Sequence, residues 1–351
     1  MAGFSISGIQ QVGIGNVDTP NTYKWYRDHL GMDLKMFDEA AVAGLMLPYT
    51  GGEPRKRHAI LALNHMGGGG VEIWQYHGRT PLAPAKEPRI GDLGITRSFF
   101  KSPDVSAAHK QLKSKSVDAL SDVLSGPDGA ASFSFKDLHG NLVSVKKSEE
   151  YFRKGLHPTG GIYGATIGVS NMGKSLSFYQ KLLGYNKVLF DGEGTFDDLA
   201  MINGGNTRFR RVILTHDKQR TGPFARLLGD TEIELLQSLD YTPEPVFKDR
   251  FWGDLGYIHL CFDIVGMDAL RNECKEMGHA FTVDSGDFDM GEAAGQFAYI
   301  EDPDGTLIEF VETQKIPIAK KLGWYLDLRK RPKGKGLPWF MLRAMGMMRD
   351  K

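Results

Sequence analysis

Apolar and polar residues follow the same pattern in two segments, 9–37 and 162–190. The segments IQQVGIGNVDTPNTYKWYRDHLGMDLKMF and IYGATIGVSNMGKSLSFYQKLLGYNKVLF align without a gap. Each predicts a strand, a turn, an amphipathic helix that ends at a glycine, and a further strand. The two segments continue into similar strand-like runs at 68–76 and 230–238. A repeated unit of about half the chain therefore organises the sequence.

A second, shorter pattern also occurs twice, at 91–117 and 253–279, where both copies contain GDLG. FSFKDLHGNLVSV (133–145) and AYIEDPDGTLIEF (298–310) end these two copies in similar ways. The chain therefore predicts four βαβββ modules in order, in an α+β fold. We expect a first domain at 1–150 with modules 1 and 2, a second at 160–314 with modules 3 and 4, and a C-terminal extension at 315–351.

The composition is typical of a soluble globular protein, with 41% hydrophobic and 25% charged residues. The 43 basic and 43 acidic residues balance, so net charge gives no sign of a nucleic-acid partner. No run of about 18 apolar residues predicts a transmembrane segment, and the first residues do not resemble a signal peptide. The two cysteines exclude a disulfide framework. We expect a cytoplasmic protein, monomeric or homodimeric, that acts on a small molecule.

The C-terminal extension, residues 315–351, differs from the rest of the chain in charge. It contains eleven Lys/Arg and two Asp/Glu, together with several aromatic residues and methionines. One interpretation is a strap that packs over the main body with its basic residues facing solvent. The alternative is a basic, aromatic segment attracted to anionic lipid or to another acidic surface.

The four modules resemble the vicinal oxygen chelate superfamily, which includes glyoxalase I, bleomycin resistance proteins and extradiol dioxygenases. The resemblance rests on the βαβββ repeat and on a glutamate, Glu309, that follows the DPDG turn in the last strand. It implies modules paired into two eight-stranded open barrels, each able to hold a divalent metal. It also implies two ligand positions per module, on the first and last strands. In chain order these positions hold Gln11 and Glu72, Arg97 and Ser144, Gly164 and Glu234, and His259 and Glu309.

Two pairings of the modules remain open. If neighbours in sequence pair, Arg97 repels a cation from the first barrel, and the second offers the set Glu234, His259 and Glu309. If module 1 pairs with module 4, as in single-chain four-module glyoxalases, one barrel collects a complete set of ligands and the other is degenerate. That complete set is Gln11, Glu72, His259 and Glu309. One full site and one empty site is the more economical arrangement, so we favour the second pairing.

The resemblance implies a metal-dependent lyase or isomerase of glyoxalase type, acting on adjacent substrate oxygens through an enediolate. Oxygen and imidazole ligands suit one Zn²⁺, Fe²⁺, Mn²⁺, Ni²⁺ or Co²⁺ ion without selecting among them. Glu309 and Glu72 are the candidate bases, with Glu309 preferred. Strand alternation adds Trp74, Tyr76 and Cys261 to the expected substrate pocket.

Two alternatives to this function remain. Gly15 and Tyr76 stand where glutathione-dependent glyoxalase I has Arg and Asn, which argues against a glutathione conjugate. An extradiol dioxygenase has a histidine where this chain has Gln11, so ring cleavage ranks second. The third hypothesis is a metal-free protein that binds a small aromatic compound. Taken alone, each candidate ligand has a simpler explanation, since a strand glutamate usually faces solvent.

Overall fold

The computed structural model describes residues 3–289, 294–319 and 324–350. The first module consists of β1 (Ser5–Asn16), α1 (Thr19–Leu30), β2 (Leu34–Ala43), β3 (Arg55–Leu63) and β4 (Gly70–His77). The second module consists of β5 (Gly94–Ser102), α2 (Val105–Ser114), β6 (Leu124–Ser125), β7 (Ala131–Lys136) and β8 (Leu142–Lys147). Both modules thus have the predicted order of one strand, one helix and three strands.

The second half of the chain repeats this order. The third module consists of β9 (Ile162–Gly168), α3 (Met172–Lys181), β10 (Lys187–Gly194), β11 (Phe209–Thr215), α4 (Ala225–Leu228) and β12 (Glu232–Ser238). The fourth consists of β13 (Gly256–Val265), α5 (Met267–Glu276), β14 (Val283–Asp284), β15 (Phe288–Asp289), β16 (Ala294–Glu301) and β17 (Leu307–Ala319). The C-terminal extension adds β18 (Trp324–Asp327) and α6 (Trp339–Ala344). Short 3₁₀ helices occupy Leu47–Tyr49, Asp197–Leu199, Leu328–Lys330 and Met345–Met348.

The two repeated helices begin and end as the sequence predicts. Asp18 caps α1 by accepting a hydrogen bond from the Asn21 amide, and Asn171 caps α3 in the same way. Gly31 and Gly184 follow these helices with φ angles of 69° and 72°. Only glycine adopts this left-handed conformation without strain, so these residues end the helices and direct the chain into the next strand.

The strands form two curled sheets, and each sheet combines modules from both halves of the chain. The first sheet has the order β14-β16-β17-β13-β1-β4-β3-β2, with β15 paired to β16 and β18 paired to β17. The second sheet has the order β10-β11-β12-β9-β5-β8-β7-β6. Module 1 therefore pairs with module 4, and module 2 with module 3. Residues 1–150 and 160–314 are halves of the sequence, and neither half forms a sheet alone.

The expected α+β fold of four βαβββ modules in two open barrels is confirmed. The antiparallel pair β1–β13 joins modules 1 and 4 at the centre of the first sheet, and β5–β9 joins modules 2 and 3 at the centre of the second. One apolar core includes residues from both sheets, among them Ile9, Phe100, Ile167 and Phe262. The Tyr257 hydroxyl lies 2.9 Å from the Ser98 hydroxyl and so links the two sheets.

The C-terminal extension packs over the main body. Leu328, Leu337 and Leu342 are buried in a cluster with apolar residues of β2 and β3. Arg349 fixes the end of the extension, because its Nη2 lies 2.6 Å from an Asp33 carboxylate oxygen. Part of the extension, residues 320–323 and 351, lies outside the described residues. No helix among those described is long and apolar enough to cross a membrane.

Candidate metal centre

Four polar side chains from four neighbouring strands meet at the centre of the first sheet. Gln11 lies on β1, Glu72 on β4, His259 on β13 and Glu309 on β17. The strand register explains their meeting, because Gly13 is opposite both Glu72 and His259. All four are largely buried, and the Glu72 side chain is the most exposed at 14%. The structure therefore brings together the complete set expected for pairing of modules 1 and 4.

The ligand atoms of these side chains lie at nearly equal distances from one another. His259 Nε2 is 3.2 Å from Glu72 Oε2 and 3.1 Å from Glu309 Oε2. Gln11 Nε2 is 3.3 Å from each of the same two oxygens. The His259 ring nitrogens nevertheless meet no partner at a hydrogen-bonding angle among the described residues. The Gln11 amide thus donates to both carboxylates, and the His259 ring converges with them on one centre.

This arrangement fits a divalent cation. Ligand atoms about 2.1 Å from one ion and at right angles to each other are about 3 Å apart, close to the separations measured here. Glu72, His259 and Glu309 form a candidate metal site in which ligand atoms lie within 4.8 Å of one another. Rotating the Gln11 amide by 180° would direct Oε1, which has no hydrogen-bond partner, at the same centre. Two converging carboxylates with one imidazole also leave negative charge for a cation to neutralise.

The site perturbs the pKa values of two of its residues. Burial lowers the pKa of His259, but the nearby Glu309 and Glu72 carboxylates outweigh burial and raise it above its ordinary value. Burial raises the pKa of Glu309, His259 opposes this rise and Glu72 adds to it, and the net result is a raised pKa. Both residues therefore hold protons to higher pH than usual. A metal ion has to displace these protons, so its binding should weaken in acid.

Gly13 makes room for the imidazole. A Cβ atom added at Gly13 would lie 2.4 Å from Cε1 and 2.7 Å from Nε2 of His259. Such distances are shorter than any ordinary carbon contact, and the histidine ring would have to move. The absence of a side chain at Gly13 thus leaves the space that the His259 ring occupies.

Gly13→Ala is expected to weaken metal binding by about 10- to 100-fold, the range seen when groups that orient a ligand are disturbed. The reason is that the added methyl group displaces His259 Nε2 from the centre. Metal affinity is measured by competition with a chromogenic chelator. The matched control is Gly44→Ala, where an added Cβ meets no atom within 4 Å. Equal metal affinity in Gly13→Ala and the unmodified chain would show that the His259 ring position does not matter.

Aromatic side chains cover the site. Trp74 and Tyr76, two of the expected pocket residues, lie in contact, with ring centroids 4.6 Å apart. Trp252 packs on Trp74 at 4.6 Å and stacks parallel to the His259 ring at 6.3 Å. Tyr299 meets the His259 ring edge-on at 5.6 Å. Cys261, the third expected pocket residue, is buried, with Sγ 3.6 Å from Gln10 Oε1.

Sequence reasoning missed Trp252 and Tyr299. Tyr299 could have been found, because the hairpin through the DPDG turn pairs Tyr299 with Glu309 in register. Trp252 lies in the connection between modules 3 and 4, where no strand alternation indicates its direction. Its position depends on contacts with distant residues, including a hydrogen bond from the Tyr76 hydroxyl to its carbonyl oxygen.

The second sheet holds an ion-pair network at the equivalent position. Arg97 Nη2 is 2.6 Å from Glu234 Oε1, and Arg211 Nη2 is 2.6 Å from Glu234 Oε2. Arg211 also binds Asp198 through two bonds of 2.7 and 2.8 Å. Burial alone would raise the pKa of Glu234, but Arg211 and Arg97 hold it well below its usual range. The guanidinium groups take the place that a cation would fill.

The positions of the strands in the two sheets exclude the alternative ligand set. Glu234 lies on β12 of the second sheet, whereas His259 and Glu309 lie on β13 and β17 of the first. The set Glu234, His259 and Glu309 is therefore not assembled. Ser144 occupies the position in the second sheet that Glu309 occupies in the first, and its hydroxyl lies 2.7 Å from the Ser134 hydroxyl, at hydrogen-bonding distance. Gly164 offers no side chain, and a Cβ there would lie 2.9 Å from the Phe99 ring.

Comparison with known proteins identifies the family. Residues 8–145 and 161–310 match the family model of the Glyoxalase/Bleomycin resistance protein/Dioxygenase superfamily, and the chain belongs to this superfamily. The resemblance expected from the repeats is thereby confirmed. A comparison with curated protein sequences gives no match.

Similar solved structures share the fold at low sequence identity. Glyoxalase I from Zea mays is 15% identical with a TM-score of 0.56, over 87% of this chain and 92% of that chain. A putative dioxygenase from Bacillus subtilis is 14% identical with a TM-score of 0.55, over 88% of this chain and 86% of that chain. At such identities the likeness establishes the fold alone, and the chemistry has to be argued from the site.

Proposed function

We propose that the protein is a divalent-metal-dependent lyase or isomerase of glyoxalase type, acting on a small substrate with two adjacent oxygens. The observation that carries this proposal is the meeting of Gln11, Glu72, His259 and Glu309, in which Gln11 Nε2 and His259 Nε2 each lie 3.1 to 3.3 Å from Glu72 Oε2 and Glu309 Oε2. Such residues, buried around one centre with two carboxylates against one imidazole, fit a metal site better than a structural polar cluster.

The bound ion would supply Lewis-acid stabilisation of negative charge that develops on the two substrate oxygens. Glu309 acts as the base that removes a proton from the carbon beside them. Its carboxylate lies at the centre, within reach of a substrate bound there, which is the first requirement of a general base. Glu72 remains the second candidate base, since its side chain is the more exposed of the two carboxylates.

The surrounding residues exclude water from this chemistry. Trp252 and Tyr299 lie against the His259 ring on two sides, and Trp74 packs behind Trp252. An apolar enclosure strengthens electrostatic interactions at the site and protects a charged intermediate from protonation by solvent. The cytoplasmic location and the monomeric or homodimeric state stay expectations from the sequence.

A ring-cleaving dioxygenase is the alternative within the same family. It would use Glu72, His259 and Glu309 around iron, a set with two carboxylates and one histidine. The usual facial set of non-haem iron oxygenases has two histidines and one carboxylate. A metal-free protein that binds a small aromatic compound is the alternative outside enzymes.

Proton exchange in deuterium oxide separates these functions. 2-Hydroxyacetophenone carries adjacent carbonyl and hydroxyl oxygens, and its methylene protons exchange when an enediolate forms. The lyase or isomerase proposal expects metal-loaded protein to accelerate loss of the methylene proton signal in NMR spectra, and expects chelator to abolish the acceleration. Oxygen consumption with catechols under Fe²⁺, without proton exchange, would support the dioxygenase. If the protein catalyses neither reaction and binds no metal, the result would support the metal-free binding protein.

A further inference from the structure

A cavity of about 400 Å³ lies beside the metal centre, where β13 and β17 begin. Its wall is mainly aromatic and apolar, with contributions from Tyr49, Phe247, Phe251, Trp252 and Leu307. Apolar cavities of this size that contain a few polar groups are the usual binding sites for small molecules. The cavity is therefore a candidate site for the part of a substrate that does not react.

The cavity adjoins the metal centre through two of its wall residues. Leu307 precedes Glu309 by two positions on β17, a separation of about 7 Å along a strand. Trp252 lines the cavity and also stacks on the His259 ring. A molecule with its apolar part in the cavity would thus have its other end near the four ligands.

Two buried hydrogen-bond donors of the cavity wall have no partner. The Trp252 indole Nε1 and the Thr306 hydroxyl make no hydrogen bond to any described residue, although Trp252 is only 7% and Thr306 only 6% exposed. An unpaired buried donor is costly, and such groups are rare in folded proteins unless a ligand or water completes them. Both residues line the same cavity, and because the two donor atoms are themselves enclosed by protein, a ligand there would reach them only after a shift of these side chains.

Arg250 adds a positive charge to this wall. Its guanidinium hydrogen-bonds to the carbonyl oxygens of Val246, Leu255 and Leu82, and it forms no ion pair within the described parts of the chain. The nearby Asp254 carboxylate is engaged by Arg79 at 2.6 Å. Burial lowers the pKa of Arg250, a sign that the guanidinium is partly removed from water without a full counter-charge.

The wall also contains one carboxylate. Asp304 is the acidic residue among those that line the cavity, and its two oxygens accept hydrogen bonds from the Ser170 amide and hydroxyl. The cavity wall thus combines the Arg250 guanidinium with an aromatic surface. Arginine pairs preferentially with carboxylate and phosphate groups.

We propose that this cavity binds an aromatic carboxylate, with the ring against Phe247, Phe251 and Trp252 and the carboxylate at Arg250 and Thr306. The substrate class is then an aromatic acid whose two adjacent oxygens lie at the opposite end, at the metal centre. Only one part of this inference rests on the proposed function, namely that the two adjacent oxygens bind at the metal centre. The contacts in the cavity require no metal.

The test compares 4-ethylbenzoate with 4-ethylbenzamide, which has the same shape without the charge. The full chain is titrated with each compound, with and without chelator, by isothermal calorimetry. The expected result is a Kd for the benzoate at least about tenfold lower than for the amide, in line with a charged hydrogen bond. Arg250→Met should reduce this preference to less than about twofold and leave amide binding unchanged.

The control variant is Lys248→Met, an exposed residue of the same segment that pairs with Glu244, and it should keep the full preference. If Arg250→Met does not fold, Thr306→Val serves instead and should weaken benzoate binding by about two- to tenfold. Equal binding of the two compounds, no binding of either, or a preference that survives Arg250→Met overturns the proposal. Because chelator removes any metal that the benzoate carboxylate could bind, binding that persists with chelator supports the cavity even if the chain holds no metal, and the two proposals fail separately.

Discussion

Glu309→Gln is expected to lower the proton exchange of 2-hydroxyacetophenone by metal-loaded protein by about 10²- to 10⁴-fold, the usual contribution of a general base. The amide keeps an oxygen that can bind the metal but loses the ability to accept a proton. The measurement is the NMR exchange rate in deuterium oxide, with metal content determined on the same sample. Glu309 is suited to this role because its carboxylate lies at the centre, with Oε2 3.1 Å from His259 Nε2.

Glu72→Gln is the matched variant for this prediction. It removes the other carboxylate at the same distance from His259 Nε2, 3.2 Å against 3.1 Å for Glu309. If Glu309 is the base, Glu72→Gln retains more exchange activity per bound metal than Glu309→Gln. The reverse order would assign the proton transfer to Glu72. Full activity in both variants would contradict a role for either carboxylate as base.

Arg97→Met is expected to reduce the free energy of unfolding by about 3 kcal/mol, the lower end of the cost of breaking a buried ion pair. The substitution removes the 2.6 Å contact with Glu234 and leaves that buried carboxylate with the Arg211 ion pair and a hydrogen bond from the Thr166 hydroxyl. Arg97 is 2% exposed, so solvent cannot replace the lost partner. Urea unfolding monitored by circular dichroism measures the change.

The pH dependence of this loss has a definite sign. The two arginines lower the pKa of Glu234 in the folded state, so their contribution to stability is present at neutral pH and is lost as the pH falls. The Arg97→Met penalty should therefore be largest near pH 7 and smaller in acid. Arg210→Met is the control, because Arg210 forms a partly exposed ion pair with Asp191 that should contribute less than about 1 kcal/mol. Equal stability of Arg97→Met and the unmodified chain would show that the network is not needed for the fold.

The internal repeats made the fold and much of the site predictable. A gap-free alignment of 9–37 with 162–190 places Gln11 opposite Gly164, and the second repeat places Glu309 opposite Ser144. Strand positions are periodic, so equivalent residues of different modules occupy equivalent places in a sheet. The sequence therefore indicated which set could be complete, and the structure pairs the modules that bring that set together.

Features that depend on contacts between distant segments could not be predicted. Arg211 lies outside the repeated ligand positions, and only the antiparallel register of β11 and β12 brings it to Glu234. Trp252 and Arg250 belong to a connection without periodicity, and their directions follow from contacts with Tyr49, Tyr76 and backbone carbonyls. Such positions are determined by tertiary packing, which local pattern does not encode.

Metal analysis of the protein purified without chelator tests the central claim most directly. We expect one divalent ion per chain, and loss of that ion in His259→Ala, because this substitution removes the imidazole from the centre formed with Gln11, Glu72 and Glu309. Circular dichroism establishes that the variant is folded. A chain that binds no divalent ion when metal is supplied, or a folded His259→Ala protein with full metal content, would contradict the account.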